Sequence, residues 1–230
     1  MINKPAGLAT QAPRGADCFE KRVRRQFAER SDYIAFPHRL DRPVGGVIMV
    51  AFQKRAARLL GSQLEARKIE KEYLAWLKGK AEFDQPDWID HVSKVPDVPK
   101  VQICGSENRE AKLAQTSIQV LHYDSEIDCS LVSMRPITGR MHQLRVQSSH
   151  RGYPIVGDTL YGGPNASSLP GIARIQSSMR LSDQPLFGSR VEREPSQDWI
   201  ALRAHRIKFF DPRNAQQIEV SSHDPWSKLD

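Results

Sequence analysis

The stretch Phe36-Pro37-His38-Arg39-Leu40-Asp41-Arg42-Pro43-Val44-Gly45-Gly46 runs directly into Val47-Ile48-Met49-Val50-Ala51-Phe52 and constrains this chain more than any other segment. Prolines at 37 and 43 stiffen the backbone on both sides of one carboxylate, and two glycines free it ahead of a buried-strand pattern. In extended backbone, Arg39 and Asp41 point to one face while His38 and Leu40 point to the other. Guanidinium groups beside a carboxylate favour its ionised form, and an ionised carboxylate is a nucleophile. Asp41 is therefore a candidate nucleophile. The plainer reading is a charged, proline-bracketed surface turn.

The order His38-Arg39-Leu40-Asp41-Arg42, then Gly46 and an apolar strand, resembles the catalytic signature of the RluA-type pseudouridine synthases, whose motif aspartate is the essential residue. A second block, Ile69-Glu70-Lys71-Glu72-Tyr73-Leu74-Ala75-Trp76-Leu77-Lys78-Gly79, alternates as a strand and is similar to the family's second motif. The resemblance implies that Tyr73 lies against the target base; without it, Tyr73 reads as a half-buried strand aromatic.

A third block runs from Arg135-Pro136-Ile137-Thr138-Gly139-Arg140-Met141-His142-Gln143-Leu144-Arg145-Val146 to Gly157-Asp158-Thr159-Leu160-Tyr161-Gly162 and resembles the family nearly residue for residue. It implies a turn at 138–140 into a helix carrying His142, Gln143 and Arg145. It also implies that Arg145 pairs with the catalytic Asp41 through a charge-assisted bond. Gly157-Asp158 and Tyr161-Gly162 read as a structural turn beneath the site. A fourth block, Leu202 to Pro212 with Ile218-Glu219-Val220, resembles the last core strand and its hairpin partner.

Two departures stand out. Pro43-Val44-Gly45 replaces a usual polar residue and Thr-Ser, and Met141 replaces a usual threonine. Both bear on the loop after Asp41 and on substrate choice, and they leave Asp41, Tyr73 and Arg145 in place.

Between these blocks the elements are read from pattern. Phe19, Val23 and Phe27 form the buried stripe of a helix over 17–29 that Asp17 caps, with Lys21, Arg22, Arg24 and Arg25 outside. A strand is expected over 47–52 and a second helix from Lys54 to about Ala66. Residues 116–123 and 129–135 form a hairpin. Residues 94–101 read as a proline-punctuated loop, and 164–198 as a surface insertion. Lys4-Pro5-Ala6-Gly7 reads as a turn whose cation either faces RNA or is merely structural. Relatives carry this motif just after an apolar strand, which is expected to be missing here.

A chain of 230 residues suits a single domain with a proper core. Lys+Arg 34 against Asp+Glu 27 leaves a net charge of +7, which favours a polyanionic partner. Cys18, Cys104 and Cys129 are too scattered for a disulfide framework or a zinc site. Asp84, Asp87, Asp90 and His91 match no metal-ligand spacing. No apolar run reaches membrane-spanning length, so a cytoplasmic location is expected.

The fold implied by the resemblance is α+β. One catalytic domain covering 1–230 would be built on a long, bent, mostly antiparallel mixed sheet, flanked by helices, with a central cleft and no accessory RNA-binding domain. The implied reaction moves the glycosidic bond of a uridine from nitrogen 1 to carbon 5, with no cofactor and no metal. The expected partner is ribosomal or transfer RNA, bound by a monomer. Asp41, Tyr73 and Arg145 would be catalytic; Lys4, His38, Arg39, Arg42, Arg140 and His142 would contact RNA. Two rivals are an idle RNA-binding or RNA-folding helper on the same fold, and another aspartate-dependent enzyme such as a glycosidase. The latter needs a second carboxylate about 5 Å away, and no acidic motif supplies one.

Overall fold

The computed structural model describes residues 1–13, 15–165, 168, 169, 171, 175 and 199–222. The expected insertion at 164–198 lies almost wholly outside them. The described residues fall into two compact units, one holding 1–70, 199 and 203–222, the other 71–175 and 200–202. Both mix strands with helix. Among the described residues no helix is long and apolar enough to cross a membrane.

The first unit contains β1 (Ile2–Lys4), α1 (Phe19–Gln26), β2 (Gly45–Ile48), α2 (Lys54–Glu65), β8 (Leu202–Phe210) from Arg203 onward, and β9 (Gln217–Ser221). β1 pairs antiparallel with β2, setting Lys4 opposite Gly46, and β2 runs parallel to β8 at Gly45↔Arg203 and Gly46↔Ala204. Gly46 is obligatory there. Its φ is +119°, and a Cβ would overlap the Ala204 carbonyl oxygen. β9 closes this side as the antiparallel partner of β8. Val47, Met49, Ala51, Leu60, Ile69, Ile207 and Phe209 form a buried cluster, so strands and α2 share one apolar core.

The expected helix at 17–29 is shorter, Phe19–Gln26, and its cap is not Asp17. Cys18 occupies the capping position without a side-chain bond. The first helical amides are satisfied instead by loop carbonyls, Phe19 N–H donating to Ala9 (2.9 Å) and Glu20 N–H to Thr10 (3.0 Å). Asp17 pairs with Arg22. The apolar stripe is as read: Phe19, Val23 and Phe27 are buried, with Phe19 edge-on to Phe36 and Phe27 edge-on to Phe52. The expected strand 47–52 is regular only to Ile48; beyond it Ala51 makes a single antiparallel bridge to Ala35.

The second unit contains β3 (Glu70–Lys78) from Lys71, β4 (Asp87–Lys94), β5 (Val101–Cys104), β6 (Lys112–Asp124), β7 (Cys129–Pro136), α3 (Gln143–His150) and one 3₁₀ turn at Thr159–Tyr161. Its strands run antiparallel in the order β3-β7-β6-β4-β5. The hairpin read from sequence is β6–β7. Buried Ala114, Thr116 and Ile118 alternate with half-buried positions until the register shifts between Val120 and His122. The proline-punctuated loop is the connection between β4 and β5, a pair the sequence reading did not identify.

α3 has little outer face. Gln143 through Ser148 are all buried, polar and apolar alike, which demands internal partners for every polar group. Gln147 accepts from Thr116 Oγ1 (2.7 Å) and donates to Asp90 (2.7 Å). Gln143 donates to Thr116 Oγ1 and the Gln115 carbonyl, both at 2.9 Å, and accepts from Thr138 Oγ1 at 2.8 Å. Asp90 also takes Arg151, whose guanidinium lies 4.6 Å from the Trp88 ring centroid. These bonds tie the helix to β4 and β6 and fix its rotation.

Candidate active site

Five of the sequence-selected residues lie in the first unit, around the segment that precedes β2. Asp41 is half-buried between the exposed Arg39 and Arg42, and its carbonyl closes a turn by accepting Val44 N–H at 3.1 Å. The backbone beside it is pinned. Thr10, 3% exposed, donates its hydroxyl to the Leu40 carbonyl (2.9 Å) and accepts Leu40 N–H on the same oxygen (3.1 Å). His38 accepts Met49 N–H on Nε2 at 3.0 Å, which fixes an unprotonated Nε2 and ties the motif to the strand after it. His38, selected as an RNA contact, thus carries a backbone bond.

Lys4 is corrected by the structure as an RNA-facing residue. It has no exposed surface; its ammonium donates to the carbonyls of Leu8 (2.6 Å) and Pro5 (2.9 Å), with Arg42 O at 3.5 Å. It braces the turn at residues 5–8 against the loop that follows Asp41. Arg42 reaches the same turn through Nε to the Gly7 carbonyl at 3.3 Å. The turn thereby supports the position of Asp41. Arg203 is a second fully buried cation, bonded to Asn3 Oδ1 (3.1 Å) and Ser222 Oγ (3.3 Å) beneath Gly45.

The other four lie in the second unit. Tyr73, half-buried, sits opposite Met134 in the β3–β7 ladder. Beside it Glu72 accepts the Ser133 hydroxyl at 2.7 Å. Lys71, on the same strand face as Tyr73, has its pKa pushed below the usual lysine value by burial. Arg140 donates Nε to the Leu113 carbonyl at 2.9 Å, and its amide bonds Gln143 Oε1 at 3.0 Å. His142 takes a left-handed conformation (φ 50°) at the cap of α3, so it precedes the helix rather than riding on it.

Arg145 is the most tightly held side chain of the group. Its Nε and Nη2 form a bidentate pair with Asp158 at 2.6 and 2.7 Å, with both side chains almost wholly buried. Its guanidinium carbon is 5.1 Å from the Tyr161 ring centroid. The Tyr161 hydroxyl accepts Val101 N–H at 2.9 Å and meets His142 Nδ1 at 2.9 Å. The turn read from Gly157-Asp158 and Tyr161-Gly162 is present, and it contributes partners to Arg145 that the sequence reading did not assign. Thr10 was missed too. Small polar residues distant in sequence give no periodic signal; only the Gly-Asp and Tyr-Gly pairs offered a trace.

The family described as RNA pseudouridylate synthase matches residues 1–150, a span that includes Asp41, Tyr73 and Arg145. The dual-specificity RNA pseudouridine synthase RluA of Yersinia pestis is 33% identical over 200 residues, covering 82% of this chain and 90% of the relative. The protein of that name from Escherichia coli K12 is 32% identical over 202 residues, covering 83% and 85%. Among solved structures, human RNA pseudouridylate synthase domain containing 1 aligns with a TM-score of 0.70 at 25% identity, covering 98% of this chain and 80% of that one. Human RNA pseudouridylate synthase domain containing 4, at 22% identity and a TM-score of 0.66, shares the fold.

The chain belongs to the RNA pseudouridylate synthase family, and within it to the RluA type.

Proposed function

We propose that this protein isomerises a specific uridine of ribosomal or transfer RNA to pseudouridine, with Asp41 as the nucleophile. The observation that carries the reading is the family match over 1–150, a span within which Asp41, Tyr73 and Arg145 fall. In support, the backbone flanking Asp41 is held by Thr10 and His38, and preorganisation of this kind is what a positioned nucleophile needs.

A uridine stacked in RNA leaves the stack before its ring can be reached, and it needs an apolar or aromatic surface to receive it. Tyr73 supplies that surface, and Arg39 fills the space vacated. The Asp41 carboxylate adds to the ribose anomeric carbon or to the uracil ring; the bond from nitrogen 1 breaks, the bond to carbon 5 forms, and the bond to Asp41 breaks again, returning the free carboxylate. One proton leaves carbon 5 and one is gained at nitrogen 1, so no external reagent is consumed. Arg145 is the cation that the family resemblance pairs with the catalytic aspartate. Arg39, Arg42, Arg140 and His142, with the net charge of +7, provide contacts to the RNA. The protein works as a monomer in the cytoplasm.

Pseudouridine mapping of ribosomal and transfer RNA from cells with the intact gene, its deletion and Asp41→Ala tests this. A site absent in both altered strains is expected. A site lost on deletion yet kept with Asp41→Ala would reject Asp41 as nucleophile. Maps identical in all three strains, with the purified chain still binding RNA, would favour the idle RNA-binding reading.

A further inference from the structure

The Arg145 guanidinium is gripped by two residues of the turn that follows α3, and the grip is built rigidly. Asp158 meets its Nε–Nη2 edge with two short bonds, 2.6 and 2.7 Å, which fixes the plane of the guanidinium as well as its place. The Tyr161 ring, 5.1 Å away, covers the group from another direction.

Each gripping residue is itself fixed. Asp158 donates its amide to the Ile155 carbonyl (3.0 Å), and its own carbonyl takes the amides of Tyr161 (3.1 Å) and Gly163 (2.8 Å). Gly163 leaves no room for a Cβ, which would overlap the Ile155 carbonyl, so the backbone of the turn is closely packed at this point. The Tyr161 hydroxyl is bonded to Val101 N–H and to His142 Nδ1. At the other end, Gln143 and Gln147 lock the rotation of α3, and with it the base of the arginine.

A buried ion pair of this type is often no more stabilising than apolar packing of the same volume. Stability alone therefore does not explain a cation kept here. We propose that Asp158 and Tyr161 are positioning residues for isomerisation, holding the Arg145 guanidinium in the one orientation its catalytic role requires. This rests on the role given to Arg145 in the proposed function. It changes the reading of the Gly157–Gly162 turn from scaffold to part of the working site.

The test is a double-mutant cycle on the isomerisation of an RNA transcript spanning the mapped uridine, using Asp158→Asn, Arg145→Ala and the pair, with Asp158→Glu as the conservative variant. Asp158→Asn is expected to lower kcat on the order of 10²-fold while KM stays within about threefold, the mark of misplaced machinery rather than lost binding. In the Arg145→Ala background the same change should cost less than about threefold, because a residue acting only through Arg145 has nothing left to position. Asp158→Glu should recover at least about tenfold of the lost rate, since it restores the carboxylate.

Equal losses in both backgrounds, or a loss confined to KM, would overturn the proposal. Should Asp158→Asn fail to fold, Tyr161 decides: Tyr161→Phe keeps the ring and should stay faster than Tyr161→Leu, and equal rates would overturn it. Arg145→Ala at full rate would overturn the role of Arg145 itself and this inference with it. A slow Arg145→Ala beside an unimpaired Asp158→Asn would overturn this inference alone.

Discussion

A single hydroxyl, Thr10 Oγ1, donates to the Leu40 carbonyl at 2.9 Å and accepts the Leu40 amide at 3.1 Å, so a residue thirty positions earlier fixes the backbone one step before Asp41. Thr10→Val keeps the shape and deletes both bonds, leaving two buried backbone groups unpaired. It is expected to cost about 2 kcal/mol in stability and to lower kcat more than RNA affinity. Urea unfolding beside single-turnover kinetics checks this. A variant as fast and as stable as the parent would show that Leu40 needs no anchor.

Gly46 faces the Ala204 backbone with φ at +119°. Gly46→Ala combines left-handed strain with overlap against the backbone of the paired strand β8. We expect a loss of about 3 kcal/mol, seen as a transition lowered by roughly 10 °C. An unchanged melting curve would mean that β2 and β8 separate freely at this point.

Lys71 gives the fold a pH dependence. Burial disfavours its cation and holds its pKa below the ordinary 10.5. Across the interval between the folded value and 10.5 the unfolded chain binds the extra proton, so stability from this group rises with pH there and is lowest below it. Lys71→Met should therefore be more stable than the parent at pH 7, with the advantage shrinking as pH approaches 10.5. Matched denaturation curves at pH 7, 9 and 10 measure it. A variant less stable at pH 7 would contradict the assigned cost of burial.

The three cysteines should react very differently. Cys18 and Cys129 are 2% and 0% exposed, and burial raises the Cys129 thiol to about 11; Cys104 is only half-buried. A disulfide reagent at pH 8 is expected to label Cys104 alone in the native protein and all three thiols in denaturant. Rapid native labelling of Cys129 would show that the β6–β7 hairpin opens readily.

Sequence made the periodic elements visible and left the non-periodic ones dark. The stripe Phe19, Val23, Phe27 and the hairpin over 116–123 and 129–135 were legible because burial follows backbone period. β4 and β5 were not, since the prolines at 96 and 99 sit in the short connection between them and masked the pairing. The burial of α3 had no signal in its own composition: Gln143, Arg145 and Gln147 look like a surface, and bonds to partners such as Thr116, Asp90 and Asp158 make them interior.

The same limit explains the site. Asp41, Tyr73 and Arg145 are selected only by the order of motifs resembling a family, whereas the burial of Lys4 gives no local signal because its carbonyl cage is assembled from residues 5, 8 and 42. The cap at Asp17 failed for a related reason. The carbonyls of Ala9 and Thr10 were already there, supplied by a loop that no local pattern announces.

The most direct test of the central claim uses purified protein and RNA stripped of this modification. Ribosomal and transfer RNA from the deletion strain would be incubated with the intact chain or with Asp41→Asn, and pseudouridine read at every position. The account predicts new pseudouridine at one site or a small set of sites with the intact chain, and none with Asp41→Asn although that variant still binds the RNA. Pseudouridine formed equally by Asp41→Asn would contradict the account.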